Sequence, residues 1–465
     1  MFLKDVYVNR RNRLRNALKN GLILILGNNE SPMNYPANGY HFRQDSNFLY
    51  FFGTDIPGLA GIFDIDNGKD YLFGNDVDIE DIIWMGTQKK IAEYGSDTGV
   101  DAVEQYSRLY DYIELALKQK RTIHYLPQYR AENKMQLGKI LGINPEKIND
   151  YTSVELIKAI VTLREVKDKH EIAEIEKWSE VAYEMHVTAM KMTRAGIFER
   201  EIAGIIEGIA IKNGGQVSFP VICSVNGEIL HNHYHGNMLR EGKLLLTDAG
   251  AESAMHYATD ITRTYPVNGK FTQKQKEIYQ IVLYANNAAT KASKPGVPYQ
   301  DIHLITAKVI AEGLKNLGLM KGDTGEAVSS GAHALFFPHG LGHMMGLDVH
   351  DMEDLGENFV GYDDEIKRIN EFGIAYLRLG KRLKSNFVVT NEPGLYFIPA
   401  LIDQWKKDNK LTQYINYHTV DQYRDFGGIR IEDDLLITGT GCRILGKKRV
   451  PVTIEEIENT VGIME

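Results

Sequence analysis

The hydrophobic pattern of the chain changes character near Leu163. Before that point, Leu22-Ile23-Leu24-Ile25-Leu26 is a continuous apolar run closed by Gly27-Asn28-Asn29, the signature of a strand covered on both faces. Residues 48–52 read as another strand, ended by Gly53. Residues 62–65 and 71–73 flank Asp66-Asn67-Gly68-Lys69. The Asn-Gly pair predicts a hairpin, because both residues tolerate positive φ. Residues 154–163 read as a helix. A mostly charged stretch, 164–170, follows. Behind it Ile172, Ile175, Ala182, Met185 and Ala189 recur at steps of three, seven, three and four, one face of a long amphipathic helix that stops at Ala195-Gly196.

We place a domain boundary near Glu165, with domains over 1–164 and 165–465. Beyond it, residues 244–248 and 255–265 predict two strands joined through 250–254, and 279–293 and 302–317 predict helices. Residues 388–391, 394–397 and 429–437 predict further strands. Antiparallel strand pairs with helices grouped apart make this an α+β domain, preceded by a smaller α/β one.

Composition narrows the class. With 465 residues, 43% hydrophobic and 25% charged, the chain matches soluble globular proteins and is long enough for sizeable cores. Its net charge of −9 argues against a dedicated nucleic-acid or anionic-membrane partner, which would meet a basic face. Two cysteines, Cys223 and Cys442, exclude a disulfide framework and fit a reducing compartment. Residues 1–15 lack an apolar leader core, and the run 22–26 is too short to cross a bilayer. The expectation is a cytoplasmic protein with no membrane partner.

Five segments set acids or histidines among apolar or Gly-rich neighbours: Leu246-Thr247-Asp248-Ala249-Gly250, Ala258-Thr259-Asp260-Ile261-Thr262, Pro338-His339-Gly340-Leu341-Gly342-His343, Thr390-Asn391-Glu392-Pro393-Gly394 and Arg430-Ile431-Glu432-Asp433-Asp434. Carboxylates flanked by strand formers are costly unless paired or metal-bound. Each segment alone is weak, since a lone acid at a strand end is more often a turn or cap. His339 and His343 stand four apart like a zincin pair, but Gly340 replaces the needed Glu and two glycines disfavour the helix. Together, four carboxylates and one imidazole form a hard, mostly oxygen donor set that suits first-row divalent ions and offsets two of them.

Taken in this order, the segments resemble the pita-bread metallopeptidases, a family that includes methionine aminopeptidase, Xaa-Pro aminopeptidase (aminopeptidase P) and Xaa-Pro dipeptidase (prolidase). The match spans roughly residues 163–438. Upstream, His41-Phe42-Arg43-Gln44-Asp45-Ser46-Asn47-Phe48-Leu49-Tyr50 resembles a signature of the aminopeptidase P N-terminal domain. The resemblance implies a pita-bread catalytic domain and two divalent metal ions, Mn2+ or alternatively Co2+ or Zn2+. Asp248 would chelate one ion, Asp260 and Glu432 would bridge both, and His343 and Glu392 would complete the other. A hydroxide between the ions would be the nucleophile. It also implies catalytic roles for His231, His339 and His350 as donors to the scissile carbonyl and proton shuttles, with His233 and His235 close enough to compete with His231. Arg378 and Arg430 are the candidate substrate-binding residues, and a homodimer is expected.

An N-terminal domain points away from methionine aminopeptidase. A peptide with proline at its second position needs a dedicated enzyme, because the imide has no N–H and the ring fixes φ. The first expectation is a Xaa-Pro aminopeptidase and the alternative a prolidase, since Arg378, fourteen residues before Glu392, resembles the prolidase arginine that forks a free carboxylate. A metal-free, peptide-binding pita-bread protein is a remote third reading. The chain departs from the family pattern by one extra residue between Asp248 and Asp260, assigned to the turn at 252–255, and by the charged run 363–368, read as a solvated loop.

Overall fold

The computed structural model describes residues 1–463. The chain forms two compact units: the first gathers Met1–Arg164 and Met352–Phe359, the second Glu165–Asp351 and the chain from Val360 on. The first unit is built on a mixed five-stranded sheet of β1 (Leu22–Leu26), β2 (Ala60–Asp64), β3 (Lys69–Gly74), β4 (Ala102–Gln105) and β5 (Ile123–His124), in the order β4-β3-β2-β1-β5. β1 is buried along its whole length, as its unbroken apolar run requires. Leu24, Ile62, Phe73, Leu109, Ile113 and Leu137 pack in one core cluster. On another side, the buried Arg11 guanidinium bonds Asp70 Oδ2 at 2.8 Å and the carbonyls of Phe51, Thr98 and Gly99.

Two expectations for this unit change. Residues 48–52 are not a strand but lie in the helix Ser46–Phe52, whose first N–H groups are capped by Asp45 Oδ1 at 2.9 and 3.0 Å and which Gly53 ends at φ 63°. An apolar run buried all round carries no period, so the Asp-Ser-Asn start signal decides. The hairpin between β2 and β3 forms, but over a four-residue turn in which Gly68 alone adopts positive φ, 67°.

The second unit opens with the helix Lys169–Met192, capped reciprocally by Asp168 and Glu171. Its strands are β6 (Gln216–Val217), β7 (Ile222–Ser224), β8 (Leu244–Ala249), β9 (Ala251–Glu252), β10 (Ile261–Pro266), β11 (Val388–Asn391), β12 (Gly394–Tyr396), β13 (Gly428–Arg430), β14 (Asp433–Ile437) and β15 (Cys442–Ile444). They pair as β10-β8-β7, β11-β14-β15, β12-β13 and β6-β9, with the helices Gln273–Ala292 and Tyr299–Asn316 beside them. From the first helix, the fully buried His186 bonds the Ala249 carbonyl at 2.9 Å and roots the end of β8.

Here too the strands are shorter than their sequence patterns suggest. Residues 255–260 precede β10 rather than belong to it: Ser253 N bonds Tyr257 O, and His256 holds φ 65° in the turn. The stretch 429–437 divides into β13 and β14, which pair with different sheets and change over at Ile431-Glu432. The run 363–368 is mostly exposed, with an outward ion pair between Glu365 and Arg382. Among the described residues no helix is long and apolar enough to cross a membrane.

Candidate metal centre

The strand register builds the centre. Asp248 on β8 faces Thr262 on β10, and Asp260 lies two residues before Thr262, immediately ahead of the strand. Glu432 stands at the changeover between β13 and β14. There its backbone N donates to Thr262 O at 3.0 Å, and Thr262 Oγ1 donates to Glu432 Oε2 at 2.7 Å. Asp434, two residues on, accepts the Asp260 N–H at 3.0 Å. The third segment, 338–343, runs beside β11 and the residues after it: Thr390 N donates to His343 O at 3.0 Å and Glu392 N to Leu341 O at 2.9 Å. A Cβ at Gly342 would lie 2.2 Å from Thr390 O, so only glycine admits this approach. That contact explains why 339–343 forms a loop and not a zincin helix.

Ligand atoms of Asp260, His343 and Glu432 lie within 4.8 Å of one another, all three buried. His343 Nε2 is 3.5 Å from Asp260 Oδ2 and 3.7 Å from Glu392 Oε1. Its Nδ1 sits 3.0 Å from the Met344 carbonyl, which can only accept, so Nδ1 carries the proton and the Nε2 lone pair points into the space shared with the carboxylates. Asp248 Oδ1 and Asp260 Oδ1 are buried without a hydrogen-bond partner. Burial, then the charges of Asp248, Asp434 and Glu392, holds the Asp260 carboxyl well above the usual carboxylate range. Burial, then Asp260 and Glu392, does the same to Glu432. Orphaned oxygens in a cluster that resists its own ionisation are what a divalent cation would satisfy, so the donor set fits one.

These groups line a cavity of about 860 Å³ that also holds His231, His339, His350, Arg378 and Arg430. The structure thus gathers every sequence-predicted site residue around one space. His350 stacks edge-on against His343, ring centres 4.2 Å apart. His231 is exposed. His233 lines the cavity too, while His235 is turned to the Val221 carbonyl, 2.9 Å from its Nε2. His339 Nδ1 donates to Gly340 O at 2.8 Å, so its Nε2 accepts from Tyr396 OH at 2.9 Å. Burial and Arg430 push His339 down to about 3, a neutral ring. Arg430 is buried and spends three donors on protein: Asp248 Oδ2 at 2.6 Å, Tyr396 OH at 3.0 Å and Thr262 Oγ1 at 3.1 Å. Burial opposes its charge, and Tyr396, Asp248 and Glu392 outweigh that.

Sequence reading passed over Thr262, Tyr396 and Asp434. A period of two from Asp260, Gly394 and Glu432 points to each of them, but a signal that short cannot separate a site residue from a strand residue.

Comparison with known proteins agrees with this geometry. Residues 173–439 match the model of metallopeptidase family M24, and residues 7–124 match the aminopeptidase P N-terminal domain. Human Xaa-Pro dipeptidase is 32% identical over 463 residues, 96% of this chain and 90% of its own. A probable Xaa-Pro aminopeptidase of Podospora anserina is 34% identical over 411 residues, 87% of this chain and 85% of its own. The structure of aminopeptidase PepP from Pseudomonas aeruginosa superposes with a TM-score of 0.81 at 27% identity, covering 99% of this chain and 98% of that one. Aminopeptidase P from E. coli with the inhibitor Pro-Leu gives 0.79 at 29% identity, with the same coverage. The pita-bread fold behind an aminopeptidase P-like N-terminal domain, the hydrolase class and the fit to a divalent ion therefore have one explanation: the chain belongs to metallopeptidase family M24, in its branch of Xaa-Pro aminopeptidases and Xaa-Pro dipeptidases.

Proposed function

We propose that the protein is a dimetal Xaa-Pro aminopeptidase that releases the first residue of a peptide from a following proline. The observation that carries this is the convergence of Asp260, His343 and Glu432 within 4.8 Å, in the same cavity as Asp248 and Glu392. Asp248 would hold one ion, Asp260 and Glu432 both, and His343 and Glu392 the other, with Mn2+ the favoured metal. When bound, such ions lower the pKa of a water molecule and polarise the scissile carbonyl.

The chain's own side chains do the rest. Arg430 holds Asp248 in orientation with its 2.6 Å bond and keeps Tyr396 in place, a supporting role in preference to direct substrate binding. A His339 ring that stays neutral is a poor proton donor near pH 7. Its bonds to Gly340 and Tyr396 hold the ring in place, and it would share donation to the scissile carbonyl and proton transfer with His350 and with His231, whose pKa burial and Arg430 also lower.

Substrate length decides between the two branch activities. A cavity of about 860 Å³, walled by Phe372, Tyr376, Ile398, Leu401 and Gln404, lies at the large end for small-molecule sites and leaves room past a Xaa-Pro unit. The dipeptidase reading draws on Arg378, which lines the same cavity and could fork a free proline carboxylate. With added Mn2+, Xaa-Pro-Yaa tripeptides are expected to turn over at least as fast as Xaa-Pro dipeptides. Cleavage of dipeptides alone would move the assignment to Xaa-Pro dipeptidase. The metal-free reading has little support, because all five donor positions are filled and face one space.

We also infer a homodimer. The helix Ile79–Met85 has no buried residue and leaves Ile79, Ile83, Trp84 and Met85 between 61% and 79% exposed, an apolar strip that a second copy would cover. Sedimentation should give twice the chain mass of 52.6 kDa, and a monomer mass would overturn this. Free Cys223 and Cys442 fit the cytoplasm as the compartment.

A further inference from the structure

Glu199 is the first residue of the helix Glu199–Lys212 and is 0% exposed. A carboxylate so deeply placed needs strong compensation. Backbone and amide donors supply it. Oε1 accepts the Val225 N–H at 2.8 Å, and Oε2 accepts the Asn237 N–H at 3.1 Å. Asn237 Nδ2 lies 3.0 and 3.2 Å from the two oxygens. The partial positive charge of the helix N-terminus adds to these bonds. The same stretch is tied by its backbone: Glu199 N donates to Asn237 O at 3.0 Å and Arg200 N to His235 O at 3.1 Å.

Val225 and Asn237 are the two ends of the loop that carries Leu230, His231 and His233 to the cavity. Inside the loop, Ser224 Oγ gathers Asn226 N at 3.0 Å and Asn232 Nδ2 at 2.8 Å. His231 itself makes no such tie and is exposed, so its place depends on how firmly the loop is closed.

We propose that Glu199 is a positioning residue whose carboxylate clasps both ends of the loop 225–237 and so fixes His231 for the bound peptide. The inference rests on the reading above, in which His231 serves the substrate. The requirement for an ionised carboxylate follows from the donors: both oxygens must accept at once, which a glutamine amide cannot do without turning an N–H toward an N–H. The expected loss is one of geometry at the reacting centre, where a displacement of about 1 Å can cost on the order of 100-fold.

The test is a double-mutant cycle on the metal-loaded full-length protein with a Xaa-Pro-Yaa tripeptide. Glu199→Gln and Asn237→Ala should each lower kcat about 10- to 100-fold, with bound metal per chain unchanged. In a His231→Ala background neither should lower kcat further. A loss of the same size in both backgrounds, or full activity of Glu199→Gln and Asn237→Ala, would overturn the clasp. His231→Ala alone reports on the underlying reading: if it turns over like the parent, the role of His231 fails and not merely the clasp. Should Glu199→Gln fail to fold, Asn237→Ala leaves the buried carboxylate in place and completes the cycle by itself.

Discussion

Asp260→Ala is expected to lose bound metal and nearly all turnover while remaining folded. Losing an outer-shell partner of a metal ligand typically costs about 10- to 100-fold, and Asp260 is proposed as a ligand to both ions, so the fall in kcat should exceed that range. Its effect on the empty fold runs the other way. Asp260 sits among Asp248, Asp434 and Glu392, whose charges raise its pKa after burial has already done so. Removing one member of a like-charged, desolvated cluster relieves repulsion, and the small cavity left behind offsets part of the gain. The chelated variant should therefore melt within a few degrees of the chelated parent, or above it. Metal analysis by mass spectrometry and thermal melts with and without EDTA check both halves. A variant that keeps its metal and more than a tenth of the parental kcat would sink the ligand assignment.

Stripping metal from the parent protein should destabilise it, and by more at higher pH. Asp260, Glu392, Glu432 and Asp434 all have carboxyl groups raised by burial first; neighbouring carboxylates add to this at Asp260 and Glu432, whereas His343 and Arg430 oppose it at Glu392 and the Asp260 N–H opposes it at Asp434. In the metal-free fold they keep their protons to higher pH than in the unfolded chain, where they titrate near 4. The folded state then binds more protons than the unfolded one, and stability is fully present below about pH 4 and falls as pH rises through the folded values. Bound divalent ions take the place of those protons and remove the penalty. Groups far from the cavity titrate alike in both forms and cancel in the difference. The melting temperature of the Mn2+-loaded form minus that of the chelated form should widen between pH 5 and pH 8. At a free metal concentration of about 100 Kd the stabilisation is about 2.7 kcal/mol, a shift of several degrees. A gap that narrows with rising pH would contradict the cluster as the binding site.

The donors were legible in the sequence only as a set. One acid among strand formers, as at Leu246-Thr247-Asp248, is more often a turn or cap, but five such segments in this order resemble the pita-bread metallopeptidases, and that resemblance implies the ligand set. The long helix after Glu165 was legible because one face repeats at helical spacing over five positions. The helix Ser46–Phe52 was not, since an all-apolar segment buried on every side has lost the contrast that reveals its period. Nor could sequence separate β13 from β14, because Ile431 continues the strand pattern while the pairing partner changes. The supporting bonds of Tyr396, Thr262 and Asp434 come from segments up to 174 residues apart and exist only once the register does.

The changeover at Ile431-Glu432 gives one further lever. Thr262 on β10 and Asp260 just before it are bonded to Glu432 and Asp434 where the chain enters another sheet. A slight slide of these layers, produced by repacking buried side chains such as Ile261 or Leu435, would alter the gap between the oxygens proposed to bridge the ions while every donor kept its identity. The hydrophobic interior would thus set the width of the proposed ion site.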